Sequence, residues 1–307
     1  MKLFGRRKLR WTVLTSAPGG KAGEQWGDTW FARDLVDALR TLGQDAHTTS
    51  RQNAHSLERE KDDVVVVLRG LTEVKPNRSK KNSIWILWVI SHPELVTEEE
   101  ASRYDVVFAA SNRWKPDFVD VHPLLQATNP TRFTPRAGVS DSGDEVLFVG
   151  STRGVFRPIV KDAMEANLEL SLYGVGWKEY VAASQIKAEF LANDQLPSAY
   201  ASAHVVLNDH HQFMADTGFL SNRLFDAAAT GTRIISDPAL GLAEVFGDHV
   251  RTYSSVEELA SIASDVESAF PNQEERLKFA SEIAEKHSFA ARAKELIAFV
   301  KAKQSRS

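Results

Sequence analysis

The chain has 307 residues, 43 % of them hydrophobic and 25 % charged, a soluble globular composition with room for one large domain or two of ordinary size. A formal net charge of −4 gives no electrostatic case for a nucleic acid partner. Cysteine is absent, which excludes disulfides, thiolate metal sites and a Cys nucleophile, and fits a reducing compartment.

The start, MKLFGRRKLR, is basic and reads as a solvated tail. The apolar stretch behind it, WTVLTSAP, is too short for the core and cleavage region of a signal peptide. The most apolar run, IWILWVI (84–90), has strand length and not membrane length. These features predict a cytoplasmic protein without an integral membrane segment.

Strand-like runs alternate with helical patterns. WTVLTS (11–16) leads through the glycine-rich loop of APGGKAGEQWGDTWFA (17–32) into a helix that places Phe31, Leu35, Ala38, Leu39 and Leu42 on one face. Gly43 is a natural residue to end it. Then come DVVVVLRG (63–70), IWILWVIS (84–91), DVVFAAS (105–111) and VDVHPLLQ (119–126). Apolar runs without alternation predict strands covered on both faces, and strand, helix, strand in repetition predicts parallel sheets.

The proline- and glycine-containing segment 127–145 breaks the rhythm and reads as a linker. A second series follows: VLFVG (146–150), LELSLYG (168–174), HVVLND (204–209) and TRIIS (232–236). Beyond Gly247 the pattern is helical, and Ser255-Val256-Glu257-Glu258 reads as a capping box. The prediction is α/β: two Rossmann-like, doubly wound parallel-sheet domains facing across a cleft. Their bounds are 1–126 and 146–287, and the C-terminal helix of 288–307 is placed to pack back on the first domain.

Ligands of open α/β sheets lie beyond the carboxyl ends of the strands, so candidate residues are those that follow strands. In GFLSNRLFDAAATGTRIISD (218–237), Gly218 permits a positive φ, and Ser221 or Asn222 can cap a helix starting near Arg223. Free amides and the dipole of that first turn, residues 218–222 with Phe219 among them, form an anion site. Asp226 lies one turn on from Asn222, where a carboxylate can accept two hydrogen bonds from a ribose diol. An ion pair with Arg223 or Arg233 is the structural alternative.

In VLFVGSTRGVFRPIV (146–160), Arg153 and Arg157 stand four apart, and their forked donors suit a diphosphate. A solvated helix face is the alternative. Gly174 and Gly176 end a strand and permit close ligand approach, with Tyr173 or Trp177 beside a base or in the core. Asn208, Asp209 and His210 end another strand. Adjacent histidines rarely share one metal ion, so hydrogen bonding to a ligand, or a role in loop structure, is preferred to metal binding for His210. Gly27 and Asp28 open the first helix, where Asp28 could equally be its N-cap. His92 follows the central strand of the first half, and histidine suits removal of a proton from a hydroxyl. Ser91-His92-Pro93-Glu94 also reads as a capping box.

SNRLFDAAATGTRIISD resembles the signature of group 1 glycosyltransferases of the GT-B fold: an acid, a small-residue helix, a glycine and a strand. Asp226 takes the place of the family's glutamate, and Gly218 the place of a second glutamate eight residues earlier. The pattern LND…SNRLFDA is similar to that of the spore-maturation-type subset. The resemblance implies a glycosyltransferase that moves a sugar from a nucleoside diphosphate sugar to an unidentified acceptor. It also implies Asp226 on the ribose, Arg153 and Arg157 neutralising the leaving diphosphate, and the 17–32 loop on the acceptor side. No metal or cofactor is implied beyond the donor substrate. A nucleotide-sugar epimerase and a non-catalytic nucleotide-binding relative share the fold and stand as alternatives.

Overall fold

The computed structural model describes residues 8–76, 83–135 and 145–305. The basic tail through residue 7 and residues 136–144 of the expected linker lie outside these. The chain divides into two compact units, Met1–Leu125 with Phe289–Ser307, and Gln126–Ser288.

The first unit is built on six parallel strands: β1 (Arg10–Thr15), β2 (Asp45–Ser50), β3 (Val64–Arg69), β4 (Ile84–Val89), β5 (Val106–Ala109) and β6 (Val121–Pro123). Their order is β2-β1-β3-β4-β5-β6. Every residue of β3 and β4 is buried, as runs covered on both faces require. The edge strand β2, Asp-Ala-His-Thr-Thr-Ser, has no such signal. It pairs with β1 alone, and its polar side chains betray no strand in the sequence.

Two helices frame this sheet's core. Helix α1 (Gly27–Thr41) buries Phe31, Leu35 and Leu39, and Gly43 follows it with φ of +82°. Its N-cap is Trp26, so Asp28 lies inside the first turn and makes no cap. The short α2 (Glu98–Ala101) is capped by Thr97, whose side chain accepts from the Glu100 amide. The long C-terminal helix, numbered α11 below, closes the unit.

The second sheet comprises β7 (Val146–Val149), β8 (Leu170–Tyr173), β9 (Ile186–Ala188), β10 (Val205–Asn208), β11 (Ile234–Ser236) and β12 (Val250–Thr252). Its order is β12-β11-β10-β7-β8-β9, again parallel. Renumbered from β7, that is the 3-2-1-4-5-6 Rossmann order read from the far edge. The flanking helices are α3 (Pro158–Glu165), α4 (Leu196–Ser202), α5 (Gln212–Asp216), α6 (Asn222–Ala229), α7 (Leu242–Phe246), α8 (Val256–Ser264), α9 (Val266–Ala269) and α10 (Gln273–Lys286). Phe148, Trp177, Leu207, Ile235 and Leu259 are central to the core.

Two capping boxes differ from expectation. Ser255 does cap α8 by accepting from the Glu258 amide, but the Glu258 carboxylate reaches back to Ser254 and not to Ser255. Ser91 caps nothing. The short turn Pro93–Leu95 begins at His92, which is left-handed (φ 52°), and Glu94 bonds the His92 ring instead of a backbone amide.

The final helix, α11 (Phe289–Gln304), belongs to the first unit. Phe289 meets Phe31 of α1 edge-on at 4.7 Å, and Arg292 Nε donates to the Leu125 carbonyl at 2.7 Å. Strand order changes direction beside β1 and β3 in the first unit, and beside β7 and β10 in the second. Those carboxyl edges are where this architecture places ligands.

Candidate functional site

In the second unit, the loop after β7 climbs from Gly150 to Arg157. Helix α3 begins only at Pro158, so Arg153 and Arg157 do not share a helical face. Arg153 instead sits left-handed (φ 60°) and exposed in the loop, and among the described residues it makes no hydrogen bond or ion pair. Arg157 is buried at the helix N-cap. Its Nε donates to Asp209 Oδ2 at 2.7 Å, a second donor reaches Asp209 Oδ1, and Nη1 meets the Ser151 carbonyl at 3.1 Å.

A third arginine joins them. Arg223 of α6 donates to the Val149 carbonyl at 2.6 Å and to Asn208 Oδ1 at 3.1 Å. The guanidiniums of buried Arg157 and half-buried Arg223 both lie over the Phe148 ring, 4.7 and 4.9 Å from its centroid, which offsets part of the cost of crowding two cations. Burial, then the charges of Arg223 and Arg153, press Arg157 below the usual arginine range, opposed by the charge of Asp237, while Asp209 pairs with it through two donors. A Cβ on Gly150 would lie 2.9 Å from Arg157 Nη1 and 3.1 Å from Arg223 Nη2, so glycine there makes room for the pair.

The other candidates of this unit have defined places. Asn208 is fully buried and also donates to Ser236 Oγ. His210 is a clamp: Nδ1 meets Asp237 Oδ1 at 2.6 Å, and Nε2 accepts the Ser221 amide at 3.0 Å. An amide can only donate, so the ring proton lies on Nδ1. One amide of the α6 start is thereby spent inside the protein, and Ser221 itself caps no amide with its side chain. Gly218 has φ of +75°, and the Phe219 ring is wholly buried, leaving only its backbone for a ligand. Asn222 donates to Asp226 Oδ2 at 2.8 Å across one helical turn. Arg233 pairs with Glu267. Gly174 (φ 144°) packs its bare Cα against Gly150, and Trp177 is buried with Nε1 on the Gly150 carbonyl at 2.8 Å.

In the first unit, Asp28 is brought to the ends of β1, β3 and β4. Ser16 donates to Asp28 Oδ2 at 2.9 Å. A Cβ on Gly70 would lie 3.2 Å from the same oxygen and 3.6 Å from Ser91 Oγ. Burial raises the Asp28 carboxyl, opposed by the Ser16 hydrogen bond and by His92. His92 Nδ1 contacts Glu94 at 2.8 Å, with 17 % of its side chain exposed. Gly27 faces open space, so nothing there demands a glycine.

Sequence reading does not single out Ser16, Gly70, Ser91 or Asp237, and it considers Arg223 only as a partner for Asp226. All but Arg223 stand just after strands, which is a usable signal. The pairing of Arg157 with Asp209, fifty-two positions apart, has none.

Residues 153–298 match a family model described as glycosyl transferase-like. No curated protein matches the chain. Among solved structures, AviGT4, a glycosyltransferase involved in avilamycin A biosynthesis, is 17 % identical with a TM-score of 0.65, covering 94 % of this chain and 96 % of its own. Sucrose-phosphate synthase from Thermosynechococcus elongatus is 14 % identical with a TM-score of 0.68 over 98 % and 100 %. T4 phage BGT in complex with its UDP-glucose substrate is 14 % identical with a TM-score of 0.60 over 96 % and 99 %. At such identities the structures establish the fold, GT-B. With the matched domain on that fold, the activity class of the chain is glycosyl transfer.

Proposed function

We propose that this glycosyltransferase takes its sugar from a nucleoside diphosphate held on the second unit, and that it resembles the spore-maturation-type subset more than other group 1 enzymes. The observation that carries the donor assignment is the set of three arginines at the switch point of the second sheet. Arg157 and Arg223 are fixed by Asp209, Asn208 and main-chain carbonyls; the Asp209 carboxylate offsets one of their two charges and leaves the pair a net positive field. Arg153, exposed and making no hydrogen bond or ion pair among the described residues, with the more distant Asp237 the one opposite charge acting on it, is the cation available to bind phosphate directly. Asp226, in the first turns of α6, takes the ribose hydroxyls.

As the bond from sugar to phosphate breaks, negative charge grows on the leaving diphosphate. Fixed dipoles and cations aimed at that charge lower the barrier without reorganising. The arginines bring the positive charge that a divalent ion supplies elsewhere, so the reading requires no metal and no cofactor beyond the donor. On the first unit, His92, oriented by Glu94, is the proposed proton acceptor from the incoming hydroxyl. The proposed setting is cytoplasmic, where nucleotide sugars are made.

The test is a thermal-shift panel of nucleoside diphosphates and their sugar conjugates. A ligand that binds only the native state raises the melting temperature by mass action. One base is expected to stand out, and Asp226→Ala is expected to weaken its binding by about 1–3 kcal/mol. A panel in which no nucleotide shifts the wild type removes the donor assignment.

A further inference from the structure

Residues 1–10 carry five cations, Lys2, Arg6, Arg7, Lys8 and Arg10, and the first carboxylate of the chain is Glu24. Residues 296–307 carry three, Lys301, Lys303 and Arg306, and no carboxylate. The net charge of −4 is therefore an average over two basic ends and a more acidic body.

The fold brings the two ends together. Lys8 lies just ahead of β1 and Lys301 in the last turn of α11, and both line one cavity of about 340 Å³. Leu9 and Ile297 supply its apolar wall, and Gly43 with Gln44 the turn after α1. Lys8 and Lys301 are exposed and make no hydrogen bond or ion pair among the described residues. Arg10 differs, because Glu58 and Asp62 hold it. Exposed Asp45 follows Gln44 and offsets one charge. The carbonyls of Ala38, Leu39 and Arg40 accept amides from the turn, which mutes the negative end of α1.

Leu9 and Gln44 precede β1 and β2, so the cavity lies at the amino ends of these strands. The Asp28 cluster and His92 stand at the opposite, carboxyl end of the same sheet. We propose that this surface docks on a membrane of anionic lipid. Lys8 and Lys301 hold headgroup phosphates at the cavity, Lys2, Arg6 and Arg7 add charge, and Leu3 and Phe4 add apolar anchors. Each Lys or Arg near an anionic bilayer is worth about 1 kcal/mol. Stable attachment takes two signals, charge and apolar burial, and residues 2–8 supply both by composition. A nucleic acid would attract the same cations but would gain nothing from Leu3, Phe4 or the apolar wall. Docking by this end leaves the carboxyl end of the first sheet turned away from the bilayer.

Co-flotation of the full chain with lipid vesicles tests the proposal. Vesicles of phosphatidylcholine alone are compared with vesicles containing a third phosphatidylglycerol, at low and at physiological salt. The chain is expected to float with the anionic vesicles, less so at the higher salt, and not with the neutral ones. Lys8→Gln with Lys301→Gln is expected to weaken binding about thirtyfold, the worth of two surface cations. Leu3→Ser with Phe4→Ser is expected to weaken it while the salt dependence holds. Lys161→Gln with Lys278→Gln removes the same charge from exposed positions of the second unit and is expected to change nothing. Circular-dichroism melts confirm that each variant folds. No flotation with anionic vesicles, equal flotation with neutral ones, or an equal loss from both lysine pairs overturns the proposal. So does a DNA duplex that strips the chain from the vesicles and binds the Leu3→Ser, Phe4→Ser variant undiminished, which would assign the surface to nucleic acid. The donor reading stands or falls separately, on the nucleotide thermal shifts.

Discussion

Arg153 and Arg157 differ in how their charge is used, though four positions separate them. Arg157 is buried and holds Asp209 with two donors, so truncating it would strand a buried carboxylate and confound stability with function. Arg153 is exposed, and Arg153→Ala removes charge without opening the core. Nucleoside diphosphate affinity is expected to fall by about 1.5–3 kcal/mol, the scale for hydrogen bonds to a charged group. Calorimetric titration measures the loss, and the melting temperature of the free protein is expected to hold. A drop in melting temperature with unchanged affinity would make Arg153 a structural residue. Asp28 has a pH signature. Its carboxyl is raised by burial, so the folded state retains a proton that the unfolded chain releases. That contribution is fully present below the ordinary carboxylate range and is lost as pH rises through it toward the raised value. Asp28→Asn is therefore expected to melt higher than wild type at neutral pH, with the difference closing in acid. Parallel melting curves at all pH values would contradict the raised value.

The elements of the second unit depend on close backbone approach. Gly174 ends β8 with φ of 144°, and a Cβ there would lie 2.3 Å from the Gly150 carbonyl oxygen and 2.8 Å from the Ser151 amide. Gly174→Ala adds strain at a positive φ to a clash with rigid backbone, and is expected to cost about 2–4 kcal/mol in urea unfolding. The same change is expected to displace the Gly150–Arg157 loop and so to weaken nucleotide binding. A stable variant with normal binding would show that the loop has slack. Element type was legible wherever burial imposed a pattern: β3, β4, β7 and β10 are continuous apolar runs. It was illegible at three of the four edges, β6 alone falling within an expected run. β2, β9 and β12 lie at sheet edges, each pairing with a single neighbour, and need less apolar sequence. Cap positions also moved, because Asp28 finds a better partner in Ser16 than in its own helix.

At the scale of the molecule, a helix from the far end of the chain completes the first unit. Phe289, Ala293, Leu296, Ile297 and Val300 are buried, and Phe299 contacts Phe108 at 5.3 Å. Burying each large apolar side chain is worth about 1.5–3 kcal/mol, and a whole domain is stable by only about 5–15 kcal/mol. Ending the chain after Ser288 is therefore expected to abolish cooperative melting of the first unit while the second still melts. Calorimetry with hydrogen exchange on β1 and β3 reads this directly. Slow exchange there in the shortened chain would show that α11 is dispensable.

What the sequence determined by itself was local and periodic: two series of buried strands, the helices between them and with these the fold class, while the transfer chemistry came only as what the resemblance of the pattern around Asp226 to group 1 glycosyltransferases implied. Residues after strands could be nominated because a parallel sheet sends all its carboxyl ends to one edge. The tertiary structure alone decided which of those residues meet. Arg157 with Asp209, His210 with Asp237 and the Ser221 amide, and Asp28 with Ser16 are matched by strand order and loop path. A buried charge or polar group must find its partner in space, and distance along the chain does not record that search.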